Sequence, residues 1–382
     1  GGTCTGTYNI GIGKETFDAL TSGTDNIAIG KEAAKSITTA TYSIAIGHGA
    51  MSLGAHTSPK NIGIGYKALQ DIVSAHNNVA IGASAGTNIT YGGHNVLLGT
   101  ESGESLTTGQ ANVFLGLYAG IYQTTAEACT FIGSQAGYNS VSGSYNIGIG
   151  RNCMYGRAQA SGGITGSNNT GVGREAFSNL STGGENVSVG LYSSMNMTTG
   201  NTNSCVGGRA GHDISTGSNN LMLGYYSGRS GSPSGSVTTG SNIVCLGDGN
   251  ITDLYCADTS ISSSDSRDKT DVTNFTHGLD WVNKLNPITY RWDKRSWYSD
   301  DLSATPDGSK KRARQHIGFL AQDVLAIEQA DGFASKKDDM LVVNLNEDDT
   351  GYGLKYERLV PVLVNAIKEL SAKVEALEAK LA

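Results

Sequence analysis

Along its first 250 residues the chain repeats one short alternation: a polar residue, an aliphatic one, a small one, a second aliphatic one and a glycine. It reads "NIGIG" from Asn9, "NIAIG" from Asn26, "SIAIG" from Ser43, "NIGIG" from Asn61 and "NVAIG" from Asn78, and goes on as "NVLLG", "NVFLG", "NTGVG", "NVSVG" and "NLMLG". Period-two alternation closed by glycine predicts a very short strand followed by a turn. It places Ile10 and Ile12, or Val79 and Ile81, on one face and Gly11 or Ala80 on the other. The closing glycines are Gly13, Gly30, Gly47, Gly65, Gly82, Gly99, Gly116, Gly133, Gly150, Gly173, Gly190, Gly207, Gly224 and Gly247. These fourteen copies lie seventeen residues apart, with one interval of 18 and two of 23. So regular a period predicts a mainly β architecture, a 17-residue-repeat β-solenoid forming a fibre shaft in which each unit stacks on its neighbours. The intervals of 23 fall at "YGRAQASGGITG" and around "SGSPSGS" and read as loop insertions on one face.

Three residues after each glycine there is usually a small residue, such as Ala33, Ala50 or Ala68. Seven after it there is often an aliphatic one, Leu20, Ile37, Ile72, Ile89, Leu106, Leu180 or Ile214, with Leu53, six after Gly47, as its counterpart. A turn rich in Thr, Gly, Ser and Asn closes the unit, a composition suited to positive φ and local side-chain hydrogen bonds. The recurring Asn is expected to form a stacked ladder bonded to turn backbone. Strands stacked at ~4.8 Å make a rod about 65–70 Å long. The small strand face is expected to admit close approach of another chain, so the expected assembly is a trimer.

The pattern changes after residue 263. Leu279 to Leu285 has helical spacing, "ITYRW" reads as a strand, "QHIGFLAQDVLAIEQA" as a strand entering a helix, and "MLVVNLN" as another strand. From Tyr356 the chain reads as helical, with Pro361 tolerable in the first turn. Leu363, Ile367, Leu370, Val374, Leu377 and Leu381 follow the four-three spacing of a coiled-coil seam, under three heptads long. Ile367 and Val374 at one core position with Leu at the other slightly favour two strands, so the seam alone does not select a trimer.

Composition places the boundary. Residues 1–263 hold 47 of the 53 glycines, all six cysteines, no Trp and 24 charged residues; residues 264–382 hold 37 charged residues and all three Trp. The expected division is a shaft at 1–250, a linker at 251–263, and a small α+β domain at 264–382 ending in the seam helix. A net charge of −7 with no basic stripe argues against a nucleic-acid partner. Cys4, Cys129, Cys153, Cys205, Cys245 and Cys256 show no metal-binding spacing and read as buried free thiols. The seven histidines are scattered, and no metal site or cofactor is expected. No signal peptide or long apolar run is present, so no membrane insertion is expected, and a chain starting at Gly1 without Met reads as a piece of a longer one.

Two stretches carry candidate chemistry. "NIGIGKETF" suggests a phosphate-binding loop, but the first Gly of that motif is replaced by Tyr8, and Glu15 stands where Ser or Thr is needed. Its recurrence along the chain makes it a structural module. In "SSSDSRDK", Ser264 lies five residues before Lys269; a Ser becomes nucleophilic when a neighbouring base takes its proton, and Lys serves only if its own proton is first removed. By pattern alone the better reading of this stretch is a solvated polar linker. Ser266 and Lys269 also fit the S-x-x-K spacing of penicillin-recognising enzymes, whose other motifs are missing.

"SDSRDK", "LNPITYRW", "HIGFLAQDV" and "YERLVPVLVNAIKELSAKVEAL" occur in the order found in the C-terminal intramolecular chaperone domains of phage tail fibres and endosialidase-type tailspikes, which residues 264–382 resemble. The resemblance implies a domain that trimerises, templates folding of the fibre before it, and then cuts itself off. It implies Ser264 as nucleophile, Lys269 as general base, a scissile bond between Ser263 and Ser264, which makes the linker at 251–263 a cleavage region, and a supporting role for Arg267. The repeats resemble tail-fibre shafts and, more distantly, the β-roll heads of trimeric adhesins. The implied setting is a virion tail fibre made in the bacterial cytoplasm, a homotrimer joined to an upstream tail protein. A host receptor would be touched by the insertions at 155–166 and 230–240 or by the end at 251–262. A polysaccharide-degrading tailspike is the alternative, needing paired carboxylates; the shaft has fourteen acidic residues in no distinctive cluster. A bacterial trimeric adhesin is the other, disfavoured by the C-terminal domain.

Overall fold

The computed structural model describes residues 4–54, 57–157, 162–255, 264–299 and 302–381. The chain forms two compact units, Gly1–Asp248 and Gly249–Ala382.

In the first unit each repeat contributes one three-residue strand, from β1 (Ile10–Ile12) to β14 (Val244–Leu246). The fourteen strands form a single parallel sheet in sequence order. Equivalent residues pair, as in Ile62 with Val79 and Gly63 with Ala80. Each repeat is therefore one turn of a β-solenoid wound by one chain.

The strand faces are the reverse of the expectation drawn from the small residues. From the second turn on, the central residue is buried, as in Ala28, Ala80, Leu97, Phe114 and Phe131, and the aliphatic pair beside it remains partly exposed. The small residues thus line the interior of their own coil, because a seventeen-residue turn closes round a space that takes one side chain from each strand. A second position, four after the closing glycine, complements the first in size. Where the strand centre is Gly148 or Gly171, that position holds the buried Met154 or Phe177; where the centre is Phe114 or Phe131, it holds Gly120 or Gly137. A methyl group on Gly137 would lie 2.6 Å from Cγ of the Phe131 ring. The rings of Phe114 and Phe131 stack at 5.2 Å between centroids.

The expected Asn ladder is present. The Asn95 side-chain amide donates to Asn78 Oδ1 at 3.0 Å and to the Gly109 carbonyl at 3.0 Å, and Asn95 Oδ1 accepts from the backbone and side chain of Asn112 at 3.0 and 3.1 Å. Cys129 takes the same place with a thiol that reaches the Gly143 carbonyl at 3.3 Å. The Thr and Ser hydroxyls of the corners bond to the next turn rather than locally, as in Thr107 Oγ1 to Thr124 O at 3.1 Å. The closing glycine is required twice over: Gly116 has φ +139°, and a side chain there would meet the Gly133 carbonyl of the next turn at 2.6 Å. Ile37, Ile72, Ile89, Leu106, Leu180 and Ile214 fill the interior as expected, but Leu53 is exposed in the one 18-residue turn. The two longer turns each return an aliphatic residue to the core, Ile164 and Val237.

The second unit is a small α+β assembly. It contains α1 (Leu279–Lys284), α2 (Ala321–Ala330) and α3 (Leu359–Leu381), with two antiparallel pairs: β15 (Ile288–Tyr290) on β16 (His316–Gly318), and β17 (Val343–Leu345) on β18 (Tyr352–Leu354). Trp281, Val324, Ile327, Val342, Val343, Leu359 and Val362 make its core. Within that core the buried Glu328 carboxylate accepts the N–H groups of Leu341, Val342 and Val343 at 3.1, 2.6 and 3.0 Å, joining α2 to the start of β17. A buried carboxylate is tolerated because three backbone donors replace its water. The inner face of α3 buries Leu359, Val362 and Ala366, whereas Leu363, Ile367, Leu370, Val374, Leu377 and Leu381 are all exposed.

Candidate active site

Six residues, 264 to 269, make the site, and a short 3-10 turn at Ser266–Asp268 shapes it. Asp265 caps the turn, accepting the Arg267 backbone N–H at 2.9 Å. The Arg267 guanidinium then grips the same carboxylate, Nε to Oδ1 at 3.0 Å and Nη2 to Oδ2 at 2.6 Å. This pairing holds the Asp265 carboxyl below the usual carboxylate range and raises Arg267. Lys269 leaves the turn in extended conformation, and its Nζ comes back to the Ser264 hydroxyl at 2.6 Å. Lys269 meets Ser266 through backbone alone, its N–H donating to the Ser266 carbonyl at 3.4 Å.

Ser264 and Lys269 are therefore together, and Arg267 stands beside them on Asp265 rather than on either. Asp265 is the residue sequence reasoning passed over; an Asp two places before the Arg it binds is an ordinary cap signal. Ser263, on the far side of the expected scissile bond, lies outside the described residues, as does most of the expected linker at 251–263. Both Ser264 and Lys269 are exposed in the single chain. As arranged, the ammonium donates to the hydroxyl; activating the serine needs the reverse, a neutral amine accepting the hydroxyl proton.

A second cluster joins residues distant in sequence. His277 Nδ1 lies 3.2 Å from Asp280 and 3.6 Å from Asp331, and the indole of Trp281 donates to Asp331. These His and carboxylate atoms all fall within 4.8 Å of one another, a grouping the scattered histidines of the sequence did not suggest. Lys284 Nζ stands 3.7 Å from Asp331, which places a cation against the carboxylates already and makes the group an ion-pair knot between α1 and the end of α2.

Four cysteines, Cys129, Cys153, Cys205 and Cys245, are buried and unpaired, and Cys4 is exposed; Cys256 lies outside the described residues. Burial pushes the thiols of Cys129 and Cys205 up to about 11 and that of Cys153 to about 12, which makes them small hydrophobes and not nucleophiles.

Comparison with known families adds one finding. Residues 264–333 match the family model for the chaperone of endosialidase. This endosialidase-chaperone segment starts at Ser264 and takes in α1, β15, β16 and α2, so β17, β18 and α3 follow it, although the resemblance drawn from the sequence ran on to residue 382. The family is one of self-cleaving chaperone domains. An endosialidase-chaperone segment behind a β-solenoid fits a tail fibre or tailspike with a C-terminal chaperone domain. The comparisons with curated proteins and with solved structures return no match. No helix among the described residues is long and apolar enough to cross a membrane.

Proposed function

We propose that this chain is part of a phage tail fibre, a homotrimer displayed on the virion, whose domain at 264–382 directs trimeric folding and then severs itself from the shaft between Ser263 and Ser264. The observation that carries this reading is the 2.6 Å approach of Lys269 Nζ to Ser264 Oγ at the first residues of the endosialidase-chaperone segment. In the chemistry we propose, a neutral Lys269 amine takes the Ser264 hydroxyl proton as Oγ attacks the Ser263 carbonyl carbon. The C–N bond to Ser264 breaks, the proton passes to the leaving nitrogen, and Ser263 is held as an ester on Ser264. Water hydrolyses the ester, so one peptide bond is lost and one water consumed. Arg267 keeps the turn formed through Asp265.

The exposure of the pair in one chain bears on timing. A lysine in water stays protonated, and becomes a base when burial or neighbours disfavour its charge. Assembly of three chains supplies such burial, so cutting would follow correct trimerisation and leave the fibre kinetically trapped. The upstream tail protein and the host receptor complete the proposed partners, with receptor contacts on the shaft's loops.

The test is the intact mass of freshly expressed chain under denaturing conditions, beside Ser264→Ala and Lys269→Ala. Two pieces meeting at the 263/264 bond, absent from both variants, is the expected result. One full-length mass in all three samples would refute self-cleavage.

A further inference from the structure

The partly exposed aliphatic pairs of the fourteen strands align into one stripe down the sheet. It comprises 28 side chains, of which 25 are Ile, Val or Leu, with Thr130, Thr170 and Ser204 the exceptions, and none is charged. Its residues reach 59% exposure at Ile12 and 66% at Val244. With strands ~4.8 Å apart and residues ~3.3 Å apart along each, the stripe is about 60 Å by 10 Å, on the order of 600 Å². The largest patch on a typical monomer is about 300–600 Å² and often functional, so the stripe lies at the top of that range. Exposed Tyr66, Leu117, Leu191 and Tyr225, each directly after a closing glycine, widen it toward the ~800 Å² per partner of a stable interface.

We infer that this stripe is the surface on which copies of the chain meet: three solenoids, each wound by itself, packed sheet face to sheet face in parallel around a common axis. The inference rests on the trimer proposed above and names its contact. Two features select a second copy as the occupant. A rigid ladder with one rung per strand is matched over its whole length only by a ladder of equal spacing, which another copy running in the same direction supplies. None of the 28 strand positions is charged, so the stripe itself offers an acidic or basic partner nothing to pair with; Lys14, Lys31, Arg151, Arg174 and Asp248, each directly after a closing glycine, stand at its border. Cyclic symmetry also keeps all chains parallel, with every α3 at the same end of the assembly. The contact is thus made by the large aliphatic residues of the strands, and the small ones serve the interior.

The test uses the uncut Ser264→Ala chain, with a photo-cross-linking residue introduced as Ile81→p-benzoylphenylalanine in the stripe or Tyr91→p-benzoylphenylalanine at a corner, where the native side chain is 60% exposed. Light scattering gives the native mass, and a denaturing gel after illumination shows which position joins chains. The expected result is three times the 39.6 kDa chain mass, with covalent dimers and trimers from position 81 and none from 91. A third variant, Ile64→Lys with Ile81→Lys and Leu98→Lys, should keep the β circular dichroism of the parent while the shaft loses protease resistance, since all three side chains point away from the core. A threefold mass with cross-links from 91 and none from 81 overturns the assigned face and leaves the trimer standing. A mass of one chain overturns both.

Discussion

At the scale of single residues, the interior of the solenoid is a column of paired sizes. Phe131 is fully buried beside Gly137, so Phe131→Ala opens a cavity and should cost about 3–5 kcal/mol. Gly137→Ala fails for a different reason: φ is +62° and the added carbon collides with the ring, so it should also destabilise, by more than the ~1–2 kcal/mol of the left-handed backbone alone. Thermal unfolding of both variants, with Gly137→Ala/Phe131→Ala completing the cycle with the parent, checks this; the double variant should be less destabilised than the sum. The Asn ladder makes a separate prediction, because Asn95→Ala strands the Gly109 carbonyl and the Asn112 backbone N–H, while Asn78 Oδ1 keeps the Asn95 backbone N–H at 3.0 Å. Each orphaned group costs roughly 1–3 kcal/mol. The thiols report on the same interior: held near 11–12, Cys129, Cys153 and Cys205 carry almost no thiolate at pH 8. Cys245 is shielded by burial, so in a Cys256→Ser chain a thiol reagent at pH 8 should label Cys4 alone before unfolding and all five remaining cysteines after it. The direction follows from the raised values, since reactivity appears only as pH climbs toward them.

At the scale of elements, what the sequence made legible was whatever carries a period. The strands, the Asn ladder, the closing glycines, α1, α2 and the long helix α3 all follow from spacing. What spacing could not supply was handedness of placement. "IAI" alternates equally well with either face inward, and only the closure of a seventeen-residue coil decides that Ala28 goes in and Ile27 and Ile29 go out. The path of each turn was hidden for a related reason. Glu32, Tyr192 and Arg209 sit at positive φ, where Gly is the usual sign, and are held there by N–H bonds to Lys14, Arg174 and Leu191 in the preceding turn. Strand β18, at "YGL", was missed because so short a strand is legible only when a repeat reveals it, as it does for the "IGI" strands of the shaft, and "YGL" stands alone. In the site, the Ser264–Lys269 separation was legible, while the Asp265–Arg267 clasp that closes the distance needed three dimensions. Helix α3 carries its own prediction. Ile367→Asp with Val374→Asp changes residues 65% and 51% exposed in the single chain, so the helix and its packing on α1 should survive. Self-association through the seam should be lost, with the mass from light scattering falling below that of three chains while the shaft stripe is left intact.

At the scale of the whole molecule, the proposed cut and the proposed assembly are coupled. If burial in the trimer is what frees the Lys269 amine, the same Ile367→Asp/Val374→Asp chain, with Ser264 and Lys269 untouched, should remain in one piece. Time-resolved intact mass against chain concentration distinguishes the alternatives: cutting that depends on concentration in the parent and vanishes in the variant supports coupling. Cutting at the same rate in both would make the dyad independent of assembly. The stripe of Ile, Val and Leu explains why a register-setting domain is useful here. Sliding one shaft past another by one turn brings equivalent residues together again, so the shaft does not define its own alignment.

The pairing of large and small residues inside each turn has a consequence for descent. Much of the volume is balanced within seventeen residues, so a turn can be copied or lost between two closing glycines wherever the new neighbours match in size, as Gly148 must leave room for the Phe131 ring of the turn before it. Unequal recombination at the near-identical "NIGIG" and "NVAIG" segments therefore has a tolerated product. A lineage carrying this shaft can lengthen or shorten its reach in steps of ~4.8 Å, inheriting length by whole rungs while every joint remains the same.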